Sequence, residues 1–304
     1  MRYLTNGDTV TRPIAVITGA TSGLGRITAL ELARRGYDLG IVARSPDRAE
    51  ALLAELAEAT GGAAHADVFL ADLGVVAQVR RAGREIAARY ARLDVLVNNA
   101  GLHAFSQRVT AEGLAEMTAV NHVGPFVLTQ ALTDTLLASA PARIVNVASE
   151  ASRRAGSITP ATDLRDTTPY TRRESMARYG RTKLMTIMWT RELARRLDAT
   201  KVTVNCCDPG FNATGLGRDL PGSAALRRAL DVLRIGDPRK GAAIIVRLAT
   251  DPAFAHTTGG YFSVRDAEPL RCPEPGRGAD VQRQLWTETE SLLAEMPPIS
   301  PRRI

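Results

Sequence analysis

The sequence predicts an α/β protein, a Rossmann-like doubly wound parallel sheet of about seven strands with helices on both faces, in a single domain spanning 304 residues. Three observations carry this. Short apolar runs alternate with longer amphipathic ones, the pattern of strands buried on both faces and joined by helical crossovers. A glycine-rich turn stands between the first such strand and the first helix. No repeat, low-complexity segment or linker divides the chain, and 45% hydrophobic residues supply ample core for this length.

The first strand is Ile14–Thr18, apolar up to its last residue, and Leu30, Leu32 and Ala33 continue a helical stripe beyond it. Between them lies Thr18-Gly19-Ala20-Thr21-Ser22-Gly23-Leu24-Gly25. Unpaired N–H groups at a helix start carry the positive end of the helix dipole, and glycines let a pyrophosphate come close to the backbone. Gly19, Thr21, Ser22, Gly23, Leu24 and Gly25 are therefore the expected dinucleotide contacts, although the spacing G-x-x-x-G-x-G departs from the common G-x-G-x-x-G. Further strands are expected at Asp38–Ala43, His65–Leu70, Leu93–Val97, Arg143–Val147, Lys201–Cys206 and Tyr261–Val264. In such a sheet the ligand lies at the carboxyl ends of the strands, where strand order reverses. The second strand ends Ala43-Arg44, with no acid about 20 residues beyond the glycine turn to hold an NAD ribose. Arg44 instead offers a fork for a 2′-phosphate, which favours NADP(H). Asp72, after the third strand, is placed to accept from the adenine amino group or to cap a helix.

Composition narrows the function classes. The net charge of +7 is spread as arginine pairs such as Arg34-Arg35, Arg80-Arg81 and Arg195-Arg196, without the single basic stripe that nucleic-acid binding requires. No run of about 18 apolar residues is present for a membrane span, and Met1 to Pro13 lacks the apolar stretch of a signal peptide, so a cytoplasmic protein is expected. Cys206, Cys207 and Cys272 read as reduced structural thiols. His65, His122 and His256 lack metal-like spacing, so no metal is expected; His103 either lines a pocket or is a plain loop residue.

Tyr179 and Lys183 lie four apart, on one face of a helix if one forms there. An ammonium beside a phenol lowers the phenol's pKa from about 10 and makes it a usable general acid or base. Ser149, at the end of the fifth strand, is placed to hydrogen-bond a substrate oxygen. With Thr18–Gly25, Asn98-Asn99-Ala100-Gly101 and Tyr179-Gly180-Arg181-Thr182-Lys183 in this order, the chain resembles the short-chain dehydrogenase/reductases from about Pro13 to Val264. Val120–Phe126, Ser139–Ser149 and Gln284-Leu285-Trp286 look like its retinol-dehydrogenase-like branch, which also includes relatives of protochlorophyllide reductase.

The resemblance implies a catalytic tetrad of Asn121, Ser149, Tyr179 and Lys183, with Lys183 also on the nicotinamide ribose and Asn121 holding a water of the proton relay. It adds Leu73, Asn98, Ala100, Gly101, Pro209, Gly210 and Thr214 to the cofactor site, Thr214 at the carboxamide. The implied activity is NADP(H)-dependent interconversion of a carbonyl and an alcohol on a small molecule; the alternatives are reduction of an activated C=C bond, or a cofactor-binding protein with a regulatory role. Helices near Val109–Leu137 and Lys183–Leu197, with Met188 and Trp189, provide either homodimer contacts or ordinary core. The core should span about 13–264, followed by an extension over 265–304. Two segments depart from the regular rhythm. Glu150–Ala177 is expected to loop out as a lid or wall over a bulky substrate, with a slight basic excess that favours an anionic one, and Phe211–Asp237 to form the opposite wall.

Overall fold

The computed structural model describes residues 12–210 and 237–296. In chain order the elements are β1 (Ile14–Thr18), α1 (Gly23–Arg34), β2 (Asp38–Ala43), α2 (Pro46–Thr60), β3 (Ala66–Leu70), α3 (Val76–Arg89), β4 (Val95–Asn98) and the short α4 (Glu116–Thr118). A π-helical turn, Ala119–Val123, leads from there into α5 (Gly124–Ala138), followed by β5 (Ala142–Val147), α6 (Pro160–Asp163), α7 (Ser175–Arg196) and β6 (Val202–Asp208). The remaining described elements are α8 (Pro238–Thr250), β7 (Tyr261–Ser263) and α9 (Ala279–Glu295).

The seven strands form one sheet in the order β3-β2-β1-β4-β5-β6-β7, parallel throughout. Order reverses between β1 and β4, so their carboxyl ends flank the crevice where a ligand is expected. All seven anticipated strands are present. β6 runs on to Asp208 because that residue still pairs with Ser263 of β7 after the apolar run has ended.

Alternation along the strands divides the core into two layers. Val16, Leu96, Ile144 and Val204 face α3, α5 and α7, whereas Ala15, Ile17, Val95 and Val97 face α1, α2 and α8. The first layer is closed from outside by α9. Trp286 of α9 meets Phe126 of α5 edge to face at 4.7 Å, and Phe126 meets Trp189 of α7 at 6.2 Å. The Arg196 guanidinium lies 4.3 Å over the Trp286 ring. Met188 and Trp189 are thus fully buried within the chain's own core, so of the two readings of these residues, core holds and dimer contact does not.

Glu150–Ala177 is not a free lid. Its first part, a 3₁₀ turn at Glu150–Arg154, lies so close to α7 that a Cβ on Gly180 would sit 2.3 Å from the Ala151 carbonyl oxygen. Arg165 then pairs with Glu288 and Glu295 of α9, and Asp163 of α6 pairs with Arg181 of α7. Salt bridges and close backbone packing give this half of the segment a fixed seat on two helices.

His122 ties the π-helical turn to α9. Its Nε2 is 2.9 Å from Thr289 Oγ1, and since the threonine hydroxyl donates to Leu285 O at 2.7 Å, the imidazole N–H is the donor between them. The ring is fully buried with Nδ1 unpaired, and burial pushes its pKa down to about 3. An unfolded histidine takes up a proton below about pH 6.5, so stability present above that pH is lost as pH falls toward the folded value. Replacing His122 by Asn, which keeps a donor but does not titrate, should flatten the loss by up to about 1.4 kcal/mol per pH unit below 6.5. Urea unfolding at pH 7 and pH 5 measures this, and equal pH slopes for the two proteins would refute it.

Candidate active site

The glycine turn forms as expected, and its shape has steric causes. Gly19 and Gly23 take φ of +69° and +55°, open to glycine at little cost. A Cβ on Gly19 would lie 2.9 Å from Ala100 Cα, and one on Gly25 only 2.2 Å from Gly19 O. Ser22 precedes α1 in extended conformation without capping it through its side chain, which leaves the first N–H groups of the helix for an anion. Thr21 and Leu24 are half-buried beside it. The turn is held from β4 by Asn99, whose Nδ2 donates to Thr18 O at 2.9 Å and Gly19 O at 3.3 Å. Thr18 Oγ1 in return accepts from the N–H groups of Asn99 and Ala100. This cradle, which any side chain would fill, fits a dinucleotide pyrophosphate.

Two residues expected at the cofactor place their side chains in the core. Asn98 turns into the core, where its Nδ2 donates to Thr129 Oγ1 at 3.0 Å and to Asn146 Oδ1 at 2.9 Å; Asn99 is the member of the pair that faces the turn. Leu73 packs its side chain in the core, with its carbonyl oxygen 2.6 Å from where a Cβ on Gly124 would be. Asp72 does not cap α3 either. Its Oδ1 accepts from Gly74 N at 2.8 Å, while Glu112, from the segment after β4, accepts from Val76 N at 2.7 Å and Ala77 N at 3.3 Å. Arg44 extends from the end of β2, 73% exposed, with one nitrogen 3.5 Å from Asp72 Oδ2. So loose and solvated a pair leaves the guanidinium available to a phosphate.

Asn121, Ser149, Tyr179 and Lys183 come together at the ends of β4 and β5. Ser149 Oγ accepts from Ala151 N at 3.1 Å and lies beside the Tyr179 phenol, whose pKa it lowers. Lys183 Nζ donates to Val147 O at 2.8 Å and lies 5.8 Å from the Tyr179 ring centre. A Cβ on Gly101 would stand 3.2 Å from Lys183 Nζ and 3.3 Å from Asn121 Oδ1, so the glycine keeps both open to the crevice. Asn121 Oδ1 accepts from Leu102 N at 2.8 Å, and Nδ2 donates to Leu102 O at 2.9 Å and Thr182 Oγ1 at 3.0 Å. Burial pushes the Lys183 ammonium down to about 8. Burial also pushes the Tyr179 phenol up, Asp208 adds to the rise, and Ser149 opposes it.

Asp208, with its neighbours Glu150 and Tyr261, escaped the sequence reading as part of the site. Asp208, buried at the end of β6, accepts from Glu150 N at 3.0 Å and has its carboxyl pushed up, chiefly by burial. Glu150 in turn accepts from Tyr261 OH at 3.1 Å. His103 stacks on Tyr179, with ring centres 4.9 Å apart and planes at 29°, which makes it a site residue and not a plain loop histidine. A strand's carboxyl end immediately before Pro209-Gly210 was the available signal for Asp208. Gly210 has φ of +74°, and a Cβ there would approach Val264 Cγ1 to 3.0 Å. Thr214 and 211–236, the greater part of the expected opposite wall, lie outside the described residues. Among the described residues, no three His, Cys, Asp or Glu side chains come together as a metal site, and no helix is long and apolar enough to cross a membrane.

The short chain dehydrogenase family matches residues 13–161. Human retinol dehydrogenase 13 is 34% identical over 97% of this chain and 90% of its own length. The chain belongs to the short-chain dehydrogenase/reductase family. Its place within the family is retinol-dehydrogenase-like, and it is an oxidoreductase of that family with a nicotinamide cofactor. The human protein named dehydrogenase/reductase SDR family member 13 is 36% identical over 93% of this chain and 74% of its own length. Among solved structures, a short-chain dehydrogenase of Burkholderia cenocepacia in complex with NADP superposes with a TM-score of 0.63 at 28% identity, over 83% of this chain and 95% of that one.

Asn99 gives this short-chain dehydrogenase a specific liability. Replacing it by Ala leaves the Thr18 and Gly19 carbonyls without their donor, and the turn loses its tie to β4. Dinucleotide affinity, read by fluorescence titration with NADPH, should fall about tenfold, the effect of roughly one lost hydrogen bond. Unchanged affinity would mean that the turn holds its shape without β4.

Proposed function

We propose that this chain is an NADP(H)-dependent oxidoreductase that interconverts a ketone or aldehyde and an alcohol, with Tyr179 as the general acid and base. The placement of Ser149 beside the Tyr179 phenol, with Lys183 one helical turn along and anchored on Val147 O, is the observation that carries this reading. The glycine cradle, from Gly19 to Gly25, would hold the pyrophosphate, Arg44 the 2′-phosphate, Ala100, Gly101 and Lys183 the nicotinamide ribose side, and Pro209 and Gly210 the nicotinamide end. The nicotinamide supplies or accepts the hydride.

The protein's own groups manage the oxygen and its proton. Ser149 and Tyr179 converge on one point, so both hydroxyls can donate to a substrate oxygen and stabilise the charge it develops. In the protein alone the phenol is held protonated by its burial and by Asp208, the form that a general acid needs. The Lys183 ammonium, close to neutrality in its own titration, provides positive charge beside the phenol once that proton has left. Asn121 fixes the floor on which this pair sits. Asp166–Ser175 and the loop after β4 form the substrate side, which suits a bulky small molecule acting in the cytoplasm.

Two measurements test the reading. Arg44 supplies a charge-assisted contact of about 1.5–3 kcal/mol, so NADPH should bind roughly 10- to 100-fold more tightly than NADH, and Arg44→Ala should erase most of the difference. Equal affinities in the unmutated protein would end the NADP assignment. Tyr179→Phe should lower turnover of any accepted carbonyl by roughly 10²- to 10⁴-fold with NADPH binding kept; near-normal turnover would remove Tyr179 from the chemistry.

A further inference from the structure

The phenol of Tyr179 is the inner end of a continuous stack. His103 lies on it at 4.9 Å, Phe105 lies against His103 at 4.6 Å with planes at 48°, and the Arg172 guanidinium carbon lies 5.1 Å from the Phe105 ring centre. The stack therefore runs from the reacting hydroxyl to an exposed cation. We propose that Arg172, Phe105 and His103 form a substrate-recognition wall that selects a flat, conjugated carbonyl compound bearing a carboxylate remote from the reacting carbonyl. This rests on the carbonyl chemistry proposed for Tyr179 and names the substrate class for it.

The wall is built rigidly. Tyr170 OH donates between Ala104 O at 3.1 Å and Ser106 O at 3.0 Å, and Gln107 Nε2 reaches Asp166 O. Ser175 Oγ donates to Arg172 O at 2.8 Å, and His103 Nε2 is 3.1 Å from Ser175 Oγ. The serine proton is thus spent on Arg172, so the imidazole N–H is the donor to Ser175, and His103 Nδ1 is left as an acceptor with no partner among the described residues. One hydroxyl links the loop that presents His103 to the segment that presents Arg172. Wall residues held this way lose little entropy when a ligand arrives.

The chemistry of the wall defines its guest. Rings whose faces are taken by one another present their edges, which carry partial positive charge and favour the π face of a conjugated molecule. Leu102, Met117 and Met176 pack nearby and add apolar surface. At the outer end, charge decides. Arg153, Arg165, Arg178 and Arg181 are each paired with a carboxylate of the chain. Arg154, Arg172 and Arg173 have no carboxylate partner among the described residues, and of these three Arg172 is the one on the rings that lead to Tyr179. A guanidinium with one face on an aromatic ring keeps its N–H edge free, and that planar fork matches a planar carboxylate.

The test compares 6-acetyl-2-naphthoate with its methyl ester, which share a skeleton and differ in charge. Wild-type protein should prefer the acid in kcat/KM. Arg172→Gln should lower the acid-to-ester ratio roughly tenfold, through KM for the acid, and Arg172→Lys should restore part of it. Phe105→Ala should lower the ratio too, because the guanidinium loses its platform. The same ratio is read as Kd by quenching of bound NADPH fluorescence, so the wall is tested even where neither compound turns over and the carbonyl reading fails. A wild-type ratio near one in the Kd measurement, or a ratio unchanged by Arg172→Gln, overturns the proposal.

Discussion

The carboxamide of Asn121 is the constraint on which the site depends. It pairs with both the N–H and the C=O of Leu102 and also bonds Thr182, so one buried side chain joins the π-helical turn, the loop after β4 and α7. Gly101, with Lys183 and Asn121 beside it, and His103, on the phenol of Tyr179, flank the clamped residue. A π-helical turn costs hydrogen-bond geometry and persists where it places a group that an α-helix would not. Here the group placed is an amide that substitutes for a strand partner of the departing loop.

A second buried polar chain sets the floor beneath it. Asn98 and Asn146 are register partners on β4 and β5, and their amides continue to Thr129 of α5 and Thr190 of α7. Polar groups so deep in a sheet are costly unless paired; here all but Asn98 Oδ1 find partners among the described residues, and the bonds they make favour one arrangement of the strands and helices they join. The two strand ends that carry Asn99 and Ser149 are thereby aligned before any ligand is present. The glycine cradle and the Ser149 hydroxyl are built on one rigid edge.

The sheet, the glycine turn and the Ser149, Tyr179 and Lys183 group were legible in the sequence because each depends on short-range order. Period-two burial, glycine where a Cβ would collide, and a four-residue helical step all leave a local mark. What was not legible depends on side chains that meet from distant segments. Nothing local distinguishes Asn98, which turns inward, from Asn99, which faces the turn. Glu112 caps α3 from 36 positions away, a pairing no spacing rule anticipates. The basic excess of Glu150–Ala177 pointed to an anion; Arg153 is matched by Glu150 and Arg165 by Glu288 and Glu295, and only the folded chain shows that Arg154, Arg172 and Arg173 have no carboxylate partner among the described residues. Where the sequence suggested a lid or wall, close packing and salt bridges seat the first half of the segment on α7 and α9.

The position of α9 bears on how the protein is made. The turn that carries Asn121 also carries His122, whose N–H is satisfied by Thr289, and Phe126 one helical turn on is covered by Trp286. A ribosome delivers the glycine cradle, the sheet edges and Tyr179 long before it delivers these two partners. Until α9 emerges, the nascent chain holds a nearly complete nucleotide fold with an aromatic flank open to water and an imidazole unpaired, the kind of exposed surface that chaperones bind. The geometry of the candidate site is therefore completed only once α9 has emerged.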